Sequence, residues 1–276
     1  MRESRLKLLG GFTALVIVSV MFIVPFIWLL RSSVMDLSQI FIMPPQWIPK
    51  PFHFENFKNA LTVVPFGAFF KNTLIIVAAV LLGTVVSSTV AAFGFSRIRW
   101  KGREVVFAIL MSAMMLPGAV TLIPSFIGWK TLGFYDTFYP LIAPAYFGGG
   151  IFNIFLLRQF YMTIPQDFDE AAFVDGANYT QIYWRIILPL SRSAVIVVAL
   201  FTFLGSWNDF MGPLIYLKSD SRFTLALGLQ MFQGSYTAQW DLLMAASTVV
   251  VLPCILVFLV GQRYFLEGIT LTGLKG

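Results

Sequence analysis

Charge is what this sequence has least of. Only 12% of its 276 residues are charged, against 58% that are hydrophobic, and the charges leave apolar runs long enough to cross a bilayer. That excludes an ordinary water-soluble domain. The single histidine, His53, leaves no two-histidine metal motif, and the single cysteine, Cys254, leaves neither an internal disulfide nor a paired-cysteine zinc site. No Gly-Lys dipeptide occurs, so there is no Walker A loop for a nucleotide phosphate, and no G-x-S-x-G elbow to present a hydrolase serine. The chain is therefore read as no enzyme, without a cofactor or metal of its own. Charges are also missing from the middle of the apolar runs, where ion-coupled carriers place theirs, which weakens a stand-alone secondary transporter. The excess of 19 Lys and Arg over 13 Asp and Glu lies beside those runs, where membrane topology explains it better than nucleic acid does.

What is present predicts an all-α polytopic membrane protein with six transmembrane helices. The first apolar run, 8–30, is longer than a signal-peptide core and no small-x-small cleavage site follows it, so it reads as a retained span. The others are 72–95; 105–129, which Pro117 and Pro124 should kink or cut short; 138–157; 193–208; and 242–261. Gly148, Gly149 and Gly150 in the fourth allow close helix approach or a local break. Residues 31–71, with Pro44, Pro45, Pro49 and Pro51, form an external, partly structured loop. Arg2, Arg5, Lys7, Arg97, Arg99, Lys101, Arg103, Arg158, Arg185, Arg192, Arg263 and Lys275 fall on one side of such a bundle and only seven basic residues on the other, which predicts cytoplasmic N- and C-termini. Three regions follow: 1–70, the first helix and external loop; 71–265, the transmembrane core; and 266–276, a cytoplasmic tail.

The longest polar interruption on the cytoplasmic side is 163–190, TIPQDFDEAAFVDGANYTQIYWRIILPL. Phe168, Ala171 and Ala172 share helical spacing, as do Tyr179, Ile182, Tyr183, Ile186 and Ile187, so two short amphipathic helices are expected. Thr163 and Gln166 are placed to form a capping box, with Pro165 tolerated in the first turn. Gly176 divides the two helices, because it can take the positive-φ conformation that ends the first. Pro189 is expected to open the next span within its first turn. Asn178-Tyr179-Thr180 matches a glycosylation sequon, but on the cytoplasmic side it would carry no glycan.

Glu170, Ala171, Ala172, Gly176, Ile186, Leu188 and Pro189 reproduce the spacing EAA-x3-G-x9-I-x-L-P. In this the chain resembles the membrane subunits of bacterial ABC importers. Trp207 and Asn208, the run TLALGLQ at 224–230 and the ending TGLKG look like the carbohydrate importers, and most like the smaller membrane subunit of the maltose type. The resemblance covers about residue 71 to the end; the first external loop matches nothing.

It implies a type I ABC importer permease fold in the bacterial inner membrane, moving a carbohydrate by alternating access. Glu170, Ala171, Ala172, Asp175, Gly176, Ile186, Leu188 and Pro189 would couple to a separate ATPase subunit that binds ATP and magnesium. The implied partners are a second permease subunit, two ATP-binding subunits and an external solute-binding protein. Ser112, Asn153, Trp207 and Asn208 are candidates for the substrate pathway, and Gln230, Gln233 and Tyr236 for contact with the binding protein. A polyol or glycerol-phosphate importer, a stand-alone carrier and an interaction scaffold remain the rival readings.

Overall fold

The computed structural model describes residues 2–234 and 238–273, and the side chains of 10–234 and 238–264 among them. Apart from one isolated bridge between Gln233 and Ala238, the described residues form helices and turns. Two compact units result, one of 1–67 and 228–253, the other of 68–227 and 254–276.

In the first unit, α1 (Arg2–Ser32) exposes nearly all of its apolar side chains from Gly10 on, among them Met21 and Phe22. The loop beyond it is held by polar groups, of which Gln39 and Asn56 are buried. Asp36 and Gln39 form a capping box on α2 (Leu37–Ile40), and Asn56, on α3 (Glu55–Val63), donates to the carbonyls of Ser33 and Met35. A turn at Gln230–Phe232 continues toward Gln239, whose amide donates to the Phe232 carbonyl at 2.9 Å.

The second unit holds most of the bundle. Helix α4 (Phe66–Ser96) is long enough to cross a bilayer. The third apolar run is broken at Pro117 into α5 (Arg103–Ala113) and α6 (Gly118–Thr131), which meet at 95°. Pro124 lies inside α6. The Pro117 break agrees with the expected kink, since proline disfavours helical backbone in the residue before it.

The fourth run is also interrupted. After α7 (Tyr139–Ile142) and a tight turn, Gly148, Gly149 and Gly150 all take positive φ before α8 (Ile151–Thr163). At Gly149 a Cβ would come within 2.6 Å of the Thr84 carbonyl oxygen, so the glycines provide both a break and a close approach to α4. Helices α9 (Asp167–Val174), α10 (Tyr179–Ile182) and α11 (Leu188–Leu190) make a polar knob, after which α12 (Arg192–Trp207) follows. Two short helices, α13 (Met211–Tyr216) and α14 (Leu225–Leu229), follow, and the long α15 (Trp240–Gly273) has residues 240–253 in the first unit and the rest in the second. Among the described residues, four helical spans are long and apolar enough to cross a membrane, or up to six if each of two bent pairs is one span.

Two expectations are corrected here. Thr163 and Gln166 form no capping box: Thr163 ends α8, with its hydroxyl on the Phe160 carbonyl, and Gln166 makes no side-chain cap on α9. Pro165 is the cause, because it holds Ile164 extended (φ −74°, ψ 127°) and so delays the second helix. Pro189 does not open the following span. It lies in the last turn before a 77° bend, and α12 starts only at Arg192.

Candidate functional site: a clamped two-helix knob

The knob is built from local rules. Asp167, Asp169 and Glu170 crowd the first turn of α9, where carboxylates favour the positive end of the helix dipole. Its end is a glycine cap. Gly176 sits at φ +81°, its amide donates to the Phe173 carbonyl at 3.0 Å, and the Ala177 amide reaches back to the Ala172 carbonyl at 2.9 Å. Helix α10 opens on a capping box, with the Asn178 side chain on the Gln181 amide at 2.9 Å and the Gln181 side chain on the Asn178 amide at 2.8 Å.

From Tyr183 to Ile187 the helix widens into a π-turn, closed by the Leu188 amide on the Tyr183 carbonyl. A widened turn suits Pro189, whose ring crowds the carbonyl four residues back in a regular helix.

The knob's inner face is apolar and fixed. Ala172, Ile182, Tyr183 and Ile187 are buried in a cluster with Phe93 of α4, Phe107 of α5, Leu157 of α8 and Val198 of α12. Ile182 and Ile187 each contribute about 1.5–3 kcal/mol by leaving water. Tyr183 adds a hydroxyl contact to Thr89 of α4 at 2.9 Å and an edge contact to the Phe93 ring.

Its outer face is apolar too, but open. Val174 is 87% exposed, and Phe168, Phe173, Tyr179 and Trp184 are exposed beside it. Glu170, Ala171, Asp175 and Gly176 are exposed as well, whereas Ile186 and Leu188 are half-buried and Pro189 is exposed. The motif therefore divides between an outward first helix and a second helix that roots it.

Ion pairs complete the attachment. Arg97, just past α4, sends Nη1 to Asp169 Oδ2 at 3.0 Å and Nη2 to the carbonyls of Tyr161 and Ile164 at 2.6 and 2.8 Å. Its side chain is only 3% exposed and that of Asp169 13%, so the pair is largely shut off from water. Arg158 of α8 meets both oxygens of Glu104 at 2.9 Å and lies over the Phe107 ring. A groove of about 400 Å³ runs along this seam, lined by Arg97, Arg99, Arg103, Asp169, Glu170 and Phe173 among others. Arg97 and Asp169 were not expected as a pair, since they are 72 positions apart and Arg97 reads only as one of a basic run.

The other candidates do not assemble into a comparable site. Ser112 is exposed and donates to the Ile109 carbonyl; Asn153 donates to Gly149 and Asn208 to Leu204, each within its own segment. Trp207 is buried between the rings of Phe70 and Phe203. Gln230 and Gln233 are exposed, and Tyr236 lies outside the described residues.

A polar anchor the sequence did not signal lies between two loops. Asp136, a non-glycine residue at φ +58°, accepts the amides of Lys218 and Ser219 at 2.9 and 3.0 Å and the Ser219 hydroxyl, with Arg222 at 3.5 Å. The Ser219 and Lys218 donors and the Arg222 charge hold its carboxyl down at about 2.

The chain is similar to known proteins in sequence and in fold. Residues 79–270 match the family described as the binding-protein-dependent transport system inner membrane component. The chain is 30% identical to the inner membrane ABC transporter permease protein YcjP of Escherichia coli, over 99% of each chain. It is also 30% identical to the trehalose/maltose transport system permease protein MalG of Thermococcus litoralis, over the full length of both. A crystal structure of a bacterial ABC transporter involved in the import of the acidic polysaccharide alginate has the same fold, with a TM-score of 0.82 at 23% identity over 96% of this chain and 98% of that one. The chain is thus a multi-pass membrane protein, and it belongs to the family of inner membrane permease components of binding-protein-dependent ABC transport systems.

Proposed function

We propose that the chain is a permease subunit that passes a carbohydrate, a mono- or oligosaccharide, across the bacterial cytoplasmic membrane by alternating access. In this reading the chain crosses six times, with the bent pair of α5 and α6 as one span and α12, beyond the 77° bend, as another, both termini cytoplasmic and the knob facing the cytoplasm. A separate ATPase subunit, which holds ATP and magnesium, docks on α9 and passes its rigid-body movement into the bundle. A second permease subunit, two ATP-binding subunits and an external binding protein complete the importer. Gln230, Gln233 and Tyr236 are proposed to face that binding protein, and Ser112, Asn153, Trp207 and Asn208 to line or flank the pathway. A carbohydrate load is supported by the trehalose/maltose and alginate systems to which the chain is similar.

The observation that carries the coupling role is an apolar surface, Phe168, Phe173 and Val174 beside Glu170, held out on a helix whose base is fixed by buried contacts. Gly176→Pro and Glu170→Lys test it in proteoliposomes carrying the whole importer, with trehalose and maltose as probe sugars. Proline cannot adopt φ +81° and lacks the amide that closes the cap, and lysine reverses the charge at the docking face. Both variants should insert normally and lose uptake together with binding-protein-stimulated ATP hydrolysis. Full uptake by either counts against the docking role, and uptake of glycerol phosphate in place of sugar counts against the carbohydrate.

A further inference from the structure

We infer that Arg97 is a positioning residue that makes the outer knob helix α9 and the end of span α4 move as one body, so that displacement of α9 reaches α4 instead of being absorbed at the elbow between α8 and α9. The inference rests on the docking role proposed for α9.

The elbow is where movement should be lost. Between Thr163, the last residue of α8, and Asp167, the first of α9, three residues lie outside both helices, with Ile164 extended ahead of Pro165 and helical angles resuming at Gln166. Left alone, three such residues form a hinge. Ala172 is the one residue of α9 buried in the core, and an alanine offers little side chain to lock. Arg97 spans the elbow from outside it. One guanidinium nitrogen takes the carbonyls of Tyr161 and Ile164 on the α8 side, and the other takes Asp169 on the α9 side. Its own amide donates to the Phe93 carbonyl at 2.9 Å, which continues the hydrogen-bonding of α4. Three acceptors from both arms of the elbow thus meet one planar, always-charged fork on a third helix.

A basic residue serving only to fix topology would be solvated, as exposed Arg99 and Lys101 are two and four positions on. Arg97 instead has its side chain 97% buried, and Asp169 is 13% exposed. Glu170, next to Asp169, faces outward, so adjacent carboxylates would divide the work: one meets the partner, the other holds the helix that carries it.

The test uses the assembled importer in nanodiscs, with Cys254→Ser and spin labels at Val90 on α4 and Asp167 on α9, both exposed and both off the docking surface. With Arg97 present the label-to-label distance should be single and narrow, with and without a non-hydrolysable ATP analogue. Arg97→Gln should broaden it about twofold or more while the complex still assembles, and should raise the ATP hydrolysed per sugar delivered about fivefold or more. Asp169→Asn, which keeps the side-chain shape, should do the same to a smaller degree, and Arg97→Lys should restore part of the ratio. A narrow distance and an unchanged ratio in Arg97→Gln and Asp169→Asn would overturn the inference. Glu170→Lys separates the two claims, since it should abolish stimulated hydrolysis and leave the distance narrow. If Glu170→Lys transports normally, docking on α9 fails while the distance result still decides the clamp.

Discussion

At the scale of single residues, the chain spends its few charges on joints. Arg97 and Asp169 close one elbow, Arg158 and Glu104 tie α8 to α5, and Asp136 anchors the Tyr216–Arg222 loop. The last of these gives a pH dependence of definite sign. Asp136 is held at about 2 in the folded chain against an ordinary carboxylate near 4, so its stabilisation is complete above the unfolded value and fades as pH falls from about 4 to 2. Thermal unfolding of the detergent-solubilised protein should therefore show Asp136→Asn melting a few degrees below the parent at pH 7, with the gap closing toward pH 2. An equal gap at both pH values would mean that the carboxylate's charge does not matter there. None of these pairs was legible beforehand. Arg97 stands in a basic run that the positive-inside rule already explains, and a pairing across 72 positions leaves no periodic trace.

At the scale of elements, what could be read was what local chemistry dictates. Apolar periodicity placed both knob helices, Gly176 ended the first, and Pro117 broke the third apolar run. The capping box lies elsewhere than side-chain type alone suggests. Thr163 has a suitable side chain, but α8 continues through it, and Asn178 with Gln181 supplies the real box one helix later. The Gly148–Gly150 break follows the same logic at closer range. An alanine at Gly149 would sit at φ +61° with its Cβ within 2.6 Å of the Thr84 carbonyl and 2.7 Å of the Ser87 hydroxyl. Gly149→Ala should consequently separate α8 from α4 and lower folded yield, whereas Gly67→Ala, where a Cβ meets nothing within 4 Å, should not. Equal monodisperse yields by size-exclusion chromatography would show that the close approach is dispensable. The π-turn at Tyr183–Ile187 had no counterpart in the sequence pattern, since i, i+3, i+4 spacing looks the same on both sides of a single widened turn.

At the scale of the molecule, the apolar surface is divided between two uses. The first span leaves its apolar side chains open from Phe12 to Ile27, which suits lipid or a neighbouring membrane subunit. Outside the spans, the comparable exposure on the knob has no lipid to meet if six spans place it in the cytoplasm, and a protein partner is the remaining chemistry. The proposed partner is the ATPase subunit. Site-directed cross-linking tests it most directly: Val174→Cys in a Cys254→Ser chain, treated in the intact importer with a short bifunctional maleimide. The prediction is a covalent product containing the ATPase subunit, formed with Val174→Cys and absent with Met43→Cys, an equally exposed position in the loop after the first span. A product joining Val174→Cys to the external binding protein, or no ATPase product from a complex that still transports, would contradict it.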